Sequence, residues 1–330
     1  MALVTICIPT YNGATFLAEC LESALAQSFA DLEILVVDDC STDDTLAIAQ
    51  SYAHRDQRLR VHRNTRNLGL VANWNRTVTL AGGEWVKFLH QDDRLEVECV
   101  DRMLSAALPH VDLVATRREL TFTPDTSDDV KSWYRSYVAE NSISRLFPST
   151  VYVSPKRFAE TVLLEGLRNF LGEPTAILLR RSAFGRYGSF HSELVSLCDW
   201  EYWVRVAVNT GLCYVDQPLA CFRVHSASES ARLRATKRFR LRLDPLVMLC
   251  EMTYSPHYLP LRQAAGDMNP PVNLRRRLSD EVLDTHWEAR AAEDPGEAIA
   301  QWWQTVRRHP RLLAFSPRYT LQFLRSGLAR

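Results

Sequence analysis

Asp92 and Asp93 are adjacent carboxylates that follow the apolar run from Glu84 to Leu89. Neighbouring carboxylates repel, an arrangement tolerated in solvent or when a cation neutralises them. Hard divalent ions such as Mg²⁺ and Mn²⁺ take oxygen ligands and are commonly shared between one or two carboxylates and a diphosphate. An isolated Asp-Asp pair reads equally well as a solvated turn that caps a helix. Asp38-Asp39 repeats the pattern after another apolar run, with Asp39 and Ser41 as alternative helix caps. Two acidic pairs at strand ends favour a shared acidic cleft over two unrelated turns. Asp199 opens Asp199-Trp200-Glu201-Tyr202-Trp203. It is either an N-cap beside core aromatics or a carboxylate general base between aromatic walls suited to a sugar face. His225 is either a structural histidine at a strand end or an imidazole that binds a metal or a phosphate.

Positioning these groups needs a scaffold, and the periodicity supplies one. Leu3–Ile8 is a short apolar run stopped by Pro9 and predicts a buried strand. After Asn12-Gly13, Phe16, Leu17, Cys20, Leu21, Ala24 and Leu25 recur at helical spacing. Glu33–Val37 predicts the next strand, and Ser41 followed by Asp43 and Asp44 predicts a capped helix. Leu59–His62, a helix over 70–81 and Glu84–Leu89 continue the alternation. Strand–helix repetition of this kind means a parallel sheet with helices on both faces, with ligands bound beyond the carboxyl ends of the strands. Further strands are predicted at Val111–Thr116, Thr175–Arg181 and Cys213–His225, with a helix at Trp200–Asn209. Residues 117–170 carry no clear period, and from about 231 helical patterns are broken by Pro245, Pro256, Pro260, Pro270 and Pro271.

The 330 residues are 46% hydrophobic and 24% charged, with 39 basic against 39 acidic side chains. These values describe a globular protein and give no support to a general nucleic-acid binder. Residues 1–115 hold 9 Lys and Arg against 16 Asp and Glu, whereas the remainder holds 30 against 23. Eight scattered cysteines without a CxxC pair read as reduced thiols, and no signal-peptide pattern precedes the first strand. A cytoplasmic location follows as the expectation, with no spanning helix. GxGxxG, Walker, HExxH and GxSxG motifs are all absent.

Pro9-Thr10-Tyr11-Asn12, Val36 to Asp43, Asn67-Leu68-Gly69, Asp92-Asp93, Asp199 to Trp203 and Phe222-Arg223-Val224-His225, in this order, resemble the family 2 inverting glycosyltransferases of the GT-A fold. The resemblance spans roughly residues 3–230. It implies a GT-A α/β domain over 1–230, with a nucleotide-sugar half at 1–115 and an acceptor and catalytic-base half at 116–230. Residues 231–330 then form a helical basic extension. The implied activity is Mn²⁺- or Mg²⁺-dependent transfer of a sugar from a nucleotide diphosphate donor to a glycan or lipid-linked acceptor, in surface polysaccharide or glycolipid assembly. On this resemblance Pro9, Thr10 and Tyr11 line the nucleotide pocket with Asn67. Asp39 accepts from a uracil or thymine imide, which points to a UDP- or dTDP-sugar. Asp92 sits near the ribose and metal, Asp93 and His225 meet the metal, and Asp199 is the base, with Glu201 the rival. The family's acidic motif often reads Asp-x-Asp-Asp, whereas this chain has His90-Gln91-Asp92-Asp93. That departure motivates the alternative of a non-catalytic nucleotide-sugar-binding or scaffold protein. A nucleotidyltransferase on the same sheet would need a triphosphate.

Arg232, Arg234, Lys237, Arg238, Arg240 and Arg242 crowd one segment and Arg275-Arg276-Arg277 another. Beyond Glu297, arginines from Arg307 to Arg330 interleave with Trp302, Trp303, Phe315, Tyr319 and Phe323. Solvated helix faces over an aromatic core explain this, as does a peripheral contact with anionic lipid on the inner face of the plasma membrane. A basic flap at 232–242 closing over the diphosphate is a third reading.

Overall fold

The computed structural model describes residues 2–148, 151–228, 232 and 238–315. Much of the basic 232–242 segment and the terminal arginines and aromatics from 316 on lie outside the described residues. The chain forms two compact units, one from residues 1–192 and 199–228, the other from 193–198 and 229–330.

The first unit opens with β1 (Val4–Thr10), α1 (Ala14–Leu25), β2 (Leu32–Asp38), α2 (Thr45–Ala53), β3 (Leu59–Arg63), α3 (Leu70–Leu80) and β4 (Trp85–Phe88). Every residue of β1 is buried, as expected of a strand covered on both faces. On α1 the buried residues are Leu17, Cys20, Leu21 and Ala24, one stripe at helical spacing facing the sheet. β1 pairs in parallel with β2 and β4, and β2 with β3. The register sets Thr10 opposite Asp38 and Asp38 opposite Arg63, so the ends of three strands are level.

β5 (Arg94–Leu95), α4 (Cys99–Ser105), β6 (Leu113–Phe122), α5 (Asp128–Glu140), α6 (Ile143–Leu146), β7 (Tyr152–Val153) and α7 (Pro155–Glu165) follow. A 3₁₀ turn at Pro174–Ala176 then leads into β8 (Ile177–Arg180), α8 (Ser182–Tyr187), α9 (Cys198–Thr210) and β9 (Leu212–Val224). The nine-stranded sheet runs β3-β2-β1-β4-β8-β6-β9-β5, with β7 paired to β9. It is parallel through the first four strands and mixed beyond, because β8 joins both β4 and β6 antiparallel. The aperiodic stretch 117–170 proves largely helical, capped by Ser127, Ser142 and Ser154. Tyr134 is the one buried residue of α5, so no wide apolar stripe marks the helix in the sequence.

Two local expectations change. The helix after Asp38-Asp39 starts at Thr45 rather than beside Ser41, and Ser41 Oγ instead accepts from the Asn12 N–H at 2.9 Å. The prolines of the second unit start helices more than they break them. Pro245 begins α10 (Asp244–Tyr254) and Pro260 begins α11 (Leu259–Asp267), where proline's missing N–H costs nothing. α12 (Leu274–Ala291) and α13 (Pro295–Arg308) follow in this unit, with a 3₁₀ turn at Pro310–Phe315 after them. Trp302 Nε1 donates to Thr285 Oγ1 at 3.2 Å, within a core that includes Leu246, Leu261, Leu278, Val282 and Val306.

Candidate active site

The carboxyl ends of β1, β2 and β4 carry three loops that interlock through side chain–backbone hydrogen bonds. The Asn12 backbone adopts φ +48 and Cys40 φ +63, so both loops turn sharply off their strands. Gly13 N–H donates to Thr45 Oγ1 at 2.7 Å, and Thr42 N–H to Asn12 Oδ1 at 2.8 Å. Tyr11 and Gln91 exchange reciprocal bonds, Tyr11 N–H to Gln91 Oε1 at 2.9 Å and Gln91 Nε2 to the Tyr11 carbonyl at 3.1 Å. A Cβ at position 13 would stand 2.2 Å from Gln91 Oε1, so glycine there permits the close approach. Pro9 and Thr10 are buried at the strand end, while Tyr11 is 46% exposed.

Asp39 is buried and anchors a further loop. Its carboxylate accepts from Asn64 Nδ2 at 2.8 Å and from the backbone N–H groups of Leu68 and Gly69 at 2.8–3.0 Å. Asn67 Oδ1 also takes the Gly69 N–H at 2.9 Å. Asp39 and Asn67 therefore set the shape of the 64–69 loop.

The second acidic pair lies in the turn after β4, where Asp93 N–H donates to the His90 carbonyl at 3.0 Å. Asp93 is buried, with Oδ1 accepting from the Arg223 N–H at 2.9 Å and Oδ2 from the Thr175 hydroxyl. Burial, then the charge of Asp92, pushes the Asp93 carboxyl well above the usual carboxylate range. At Asp92 burial opposes ionisation, but the His225 hydrogen bond and the nearby imidazoles outweigh it and hold the carboxyl low. The Asp92–His225 contact is 3.0 Å, from Oδ2 to Nε2, and Phe16 packs on the His225 ring at 4.8 Å. Arg223 braces the turn further, its guanidinium bonding the Asp92 carbonyl at 2.9 Å and the Glu19 carboxylate.

One donor atom each from His90, Asp92 and Asp93 lies within 4.8 Å of the others. A buried carboxylate forced toward its protonated form, a half-buried one beside it and a nearby imidazole form a donor set that a divalent cation fits. His225 and Asp93, paired by the resemblance, are each placed through Asp92 or its neighbours: His225 meets Asp92, and Asp93 meets Thr175 and Arg223.

Asp199 sits in the first turn of α9. Asn169 Nδ2 approaches its Oδ2 at 3.4 Å, and the Trp200 N–H donates to Oδ1 at 2.6 Å. Burial is the main cause of a carboxyl pKa pushed up to about 7, with the charge of Glu173 adding to it. Glu173 pairs with the buried guanidinium of Arg118 at 2.6 Å. It also directly precedes the 3₁₀ turn whose Thr175 bonds Asp93, so one segment, 169–175, borders both the acidic pair and Asp199. Below it the buried Lys87 Nζ donates to the Thr175 carbonyl, holding the turn in place. Glu201 is committed elsewhere, in a buried pair with Arg205 at 2.7 Å, whose guanidinium also holds the Tyr187 and Ser189 carbonyls. The aromatics of Asp199–Trp203 line the core: Trp200, Tyr202 and Trp203 are fully buried. Exposed aromatic surface comes from α5 instead, where Trp133 is 51% exposed and stacks on Tyr137 at 5.2 Å. The negative fields of Glu173 and Asp199 both reach the Tyr137 hydroxyl.

Thr175, Glu173, Arg118, Lys87, Asn169 and the α5 aromatics carry no motif. The one signal for them was the Thr175–Arg181 strand, whose start places Thr175 at a strand end.

Residues 5–188 match the model of glycosyl transferase family 2, more than half of the chain. The chain belongs to glycosyltransferase family 2. An uncharacterised protein of Mycobacterium tuberculosis is 33% identical over 239 residues, covering 72% of each chain. A PGL/p-HBAD biosynthesis glycosyltransferase of Mycobacterium bovis is 30% identical over 218 residues, 64% of this chain and 72% of the relative. In structure the chain is similar to TarS of S. aureus, solved in complex with UDP, with a TM-score of 0.59 at 19% identity over 94% of this chain and 82% of that one. A mannosyltransferase of Pyrobaculum calidifontis, in complex with GDP-Man and Mn²⁺, aligns with a TM-score of 0.55 at 18% identity over 96% and 86% of the two chains. These likenesses establish the GT-A fold, and family membership makes this family 2 chain a glycosyltransferase.

Proposed function

We propose that this glycosyltransferase moves a sugar from a nucleoside diphosphate donor to an acceptor hydroxyl in one inverting displacement, with Asp199 as general base. The observation that carries the reading is the Asp199 carboxyl, lifted to about 7 by burial, next to the segment that holds the acidic pair. A base poised near neutrality is half ionised when needed and strong enough to take a hydroxyl proton. Tyr11, 46% exposed, would offer its ring to the donor's base, and Asp39 and Asn67 shape the 64–69 loop. The family resemblance, not a free carboxylate oxygen, is the reason to place uracil or thymine first among donors. Asp39 already accepts from Asn64, Leu68 and Gly69, and an imide would have to share those oxygens. Asp92 and Asp93 would hold a Mn²⁺ or Mg²⁺ ion, which when bound supplies Lewis-acid stabilisation of the departing diphosphate.

On the acceptor side, Trp133 and Tyr137 present a stacked aromatic surface close to the field of Asp199, suited to the apolar face of a sugar. Asp199 orients the acceptor hydroxyl and takes its proton as the oxygen attacks the anomeric carbon opposite the diphosphate. No covalent sugar–enzyme intermediate is required. The reaction is placed in polysaccharide or glycolipid assembly, with a glycan or lipid-linked acceptor, and a relative named a PGL/p-HBAD biosynthesis glycosyltransferase supports a biosynthetic role.

Asp199→Asn is the direct test. Transfer should fall by about 10²–10⁴-fold, the usual worth of general-base help, while nucleotide binding by calorimetry persists. Near-normal transfer by this variant would sink the assignment. A scaffold role predicts no metal-dependent hydrolysis of any UDP-sugar even at high protein concentration. A thermal-shift panel of nucleotide sugars with and without Mn²⁺ identifies the donor.

A further inference from the structure

We propose that His90 supplies a nitrogen ligand to the cation held by Asp92 and Asp93, and that this ligand makes the site select Mn²⁺ over Mg²⁺. The inference rests on the metal-dependent reading above and deepens it. His90 Nε2 is buried and has no hydrogen-bond partner among the described residues. A buried imidazole nitrogen left without a partner carries its desolvation cost uncompensated, so its persistence needs an explanation. A bound cation provides one, because an imidazole nitrogen of His90 already lies within 4.8 Å of a carboxylate oxygen of each aspartate.

The ring is held where it is. Trp74 packs on it with centroids 5.0 Å apart, and the His90 N–H donates to Thr175 Oγ1 at 3.2 Å. The His90 carbonyl accepts from the Asp93 N–H at 3.0 Å and from Cys20 Sγ at 3.3 Å. Thr175 thereby fixes both His90, through the backbone, and Asp93, through Oδ2. Each Asp93 oxygen accepts one bond from Arg223 or Thr175, which leaves a lone pair on each for a metal. His225 has a different task. Its Nε2 is engaged with Asp92 Oδ2, so it orients a carboxylate as an outer partner does.

A donor set of two carboxylates and one imidazole discriminates between ions. Mg²⁺ favours an all-oxygen octahedron, whereas Mn²⁺ takes carboxylate oxygen and imidazole nitrogen together and lies above it in affinity for nitrogen.

Electron spin-echo envelope modulation on the full-length protein loaded with Mn²⁺ tests the ligand directly, without reference to turnover. The expected result is a ¹⁴N modulation in the native protein that disappears in His90→Gln. Mn²⁺ affinity by calorimetry should fall by roughly 10–100-fold, at least what loss of an outer partner brings, with a smaller change for Mg²⁺. His90→Asp provides the control for folding: it should bind Mn²⁺ without ¹⁴N modulation and narrow the gap between the two ions. Bound Mn²⁺ without ¹⁴N modulation in the native protein, or modulation unchanged in His90→Gln, overturns the inference and leaves the glycosyltransferase reading standing. No Mn²⁺ binding at all, with or without UDP, overturns this inference and the metal-dependent reading together.

Discussion

At the scale of single residues the electrostatics of Asp199 make the sharpest prediction. Burial pushes its carboxyl up to about 7 in the folded state, from an ordinary 3.8. The base form is therefore lost as pH falls through about 7, and kcat should rise with pH along a limb centred there. Glu173→Gln removes the neighbouring negative charge and leaves Arg118 unopposed, and both changes favour the ionised carboxyl. The limb should move to lower pH, and a pH–rate profile unchanged by this variant would remove Glu173 from the account. Linkage gives the stability counterpart. Between 3.8 and about 7 the folded state binds more protons at Asp199 than the unfolded chain, so this residue's contribution to stability falls as pH rises across that window. Asp199→Asn should flatten the fall, as read from urea midpoints at several pH values.

Among elements, the segment 169–175 does the most with the least sequence signal. Asn169 Oδ1 accepts from the Leu171 and Gly172 N–H groups at 2.9–3.1 Å, and the Gly172 carbonyl accepts from Trp203 Nε1 at 3.3 Å. Gly172 has φ +101, and a Cβ there would stand 2.5 Å from Arg118 Nη1. Arg118 cannot step aside cheaply, because its buried guanidinium is bound to Glu173. Gly172→Ala should destabilise the protein by about 1–3 kcal/mol, the usual cost of a strained backbone position. Displacement of the Arg118–Glu173 pair should also lower kcat more than it raises the donor KM. Steady-state kinetics beside a thermal melt checks both. On α5, Trp133→Ala should raise the acceptor KM by several-fold and leave donor binding unchanged, since stacking of an aromatic ring is worth about 0.5–1.5 kcal/mol.

For the whole molecule, the chain passes from the first unit to the second at 193, returns at 199 and leaves again after 228. Within the second unit, the buried Asp244 carboxylate accepts from the backbone N–H groups of Val195, Ser196 and Leu197 at 2.6–3.0 Å. A chain cut at residue 230 keeps 193–198 but loses Asp244, leaving those donors without their acceptor. Such a truncation should melt at lower temperature than the full chain, and a matched melting temperature would refute this. The basic character of the second unit is partly internal: Arg242 pairs with Glu288 at 2.6 Å, and Arg311 lies over the Tyr254 ring. Trp302 belongs to the core. Arg275, Arg276 and Arg277 are exposed in the first turn of α12, where the helix dipole disfavours positive charge. If they meet anionic lipid, flotation with phosphatidylserine vesicles should be lost on changing all three to Gln. No described helix is long and apolar enough to cross a membrane.

The alternation of apolar runs and helical stripes determined the parallel half of the sheet, because buried strands and amphipathic helices leave periods that survive in one dimension. Strand ends, and so the positions of Asp39, Asp92 and Asp93, followed from those runs. So did the candidacy of Asp199, through its motif. Relations between residues far apart in the chain came from packing alone. Asp93 meets Thr175 across 82 positions and Arg223 across 130. Ser41, a cap by its sequence context, became a tie between two loops. Glu201, a rival base by type, is neutralised by Arg205, and His90, a departure from a motif, stands beside two aspartates with an unmatched nitrogen. Local periodicity reports which face of an element is buried. Which charges end up as neighbours, and hence which group is a base and which a ligand, depends on the packing of whole elements against one another.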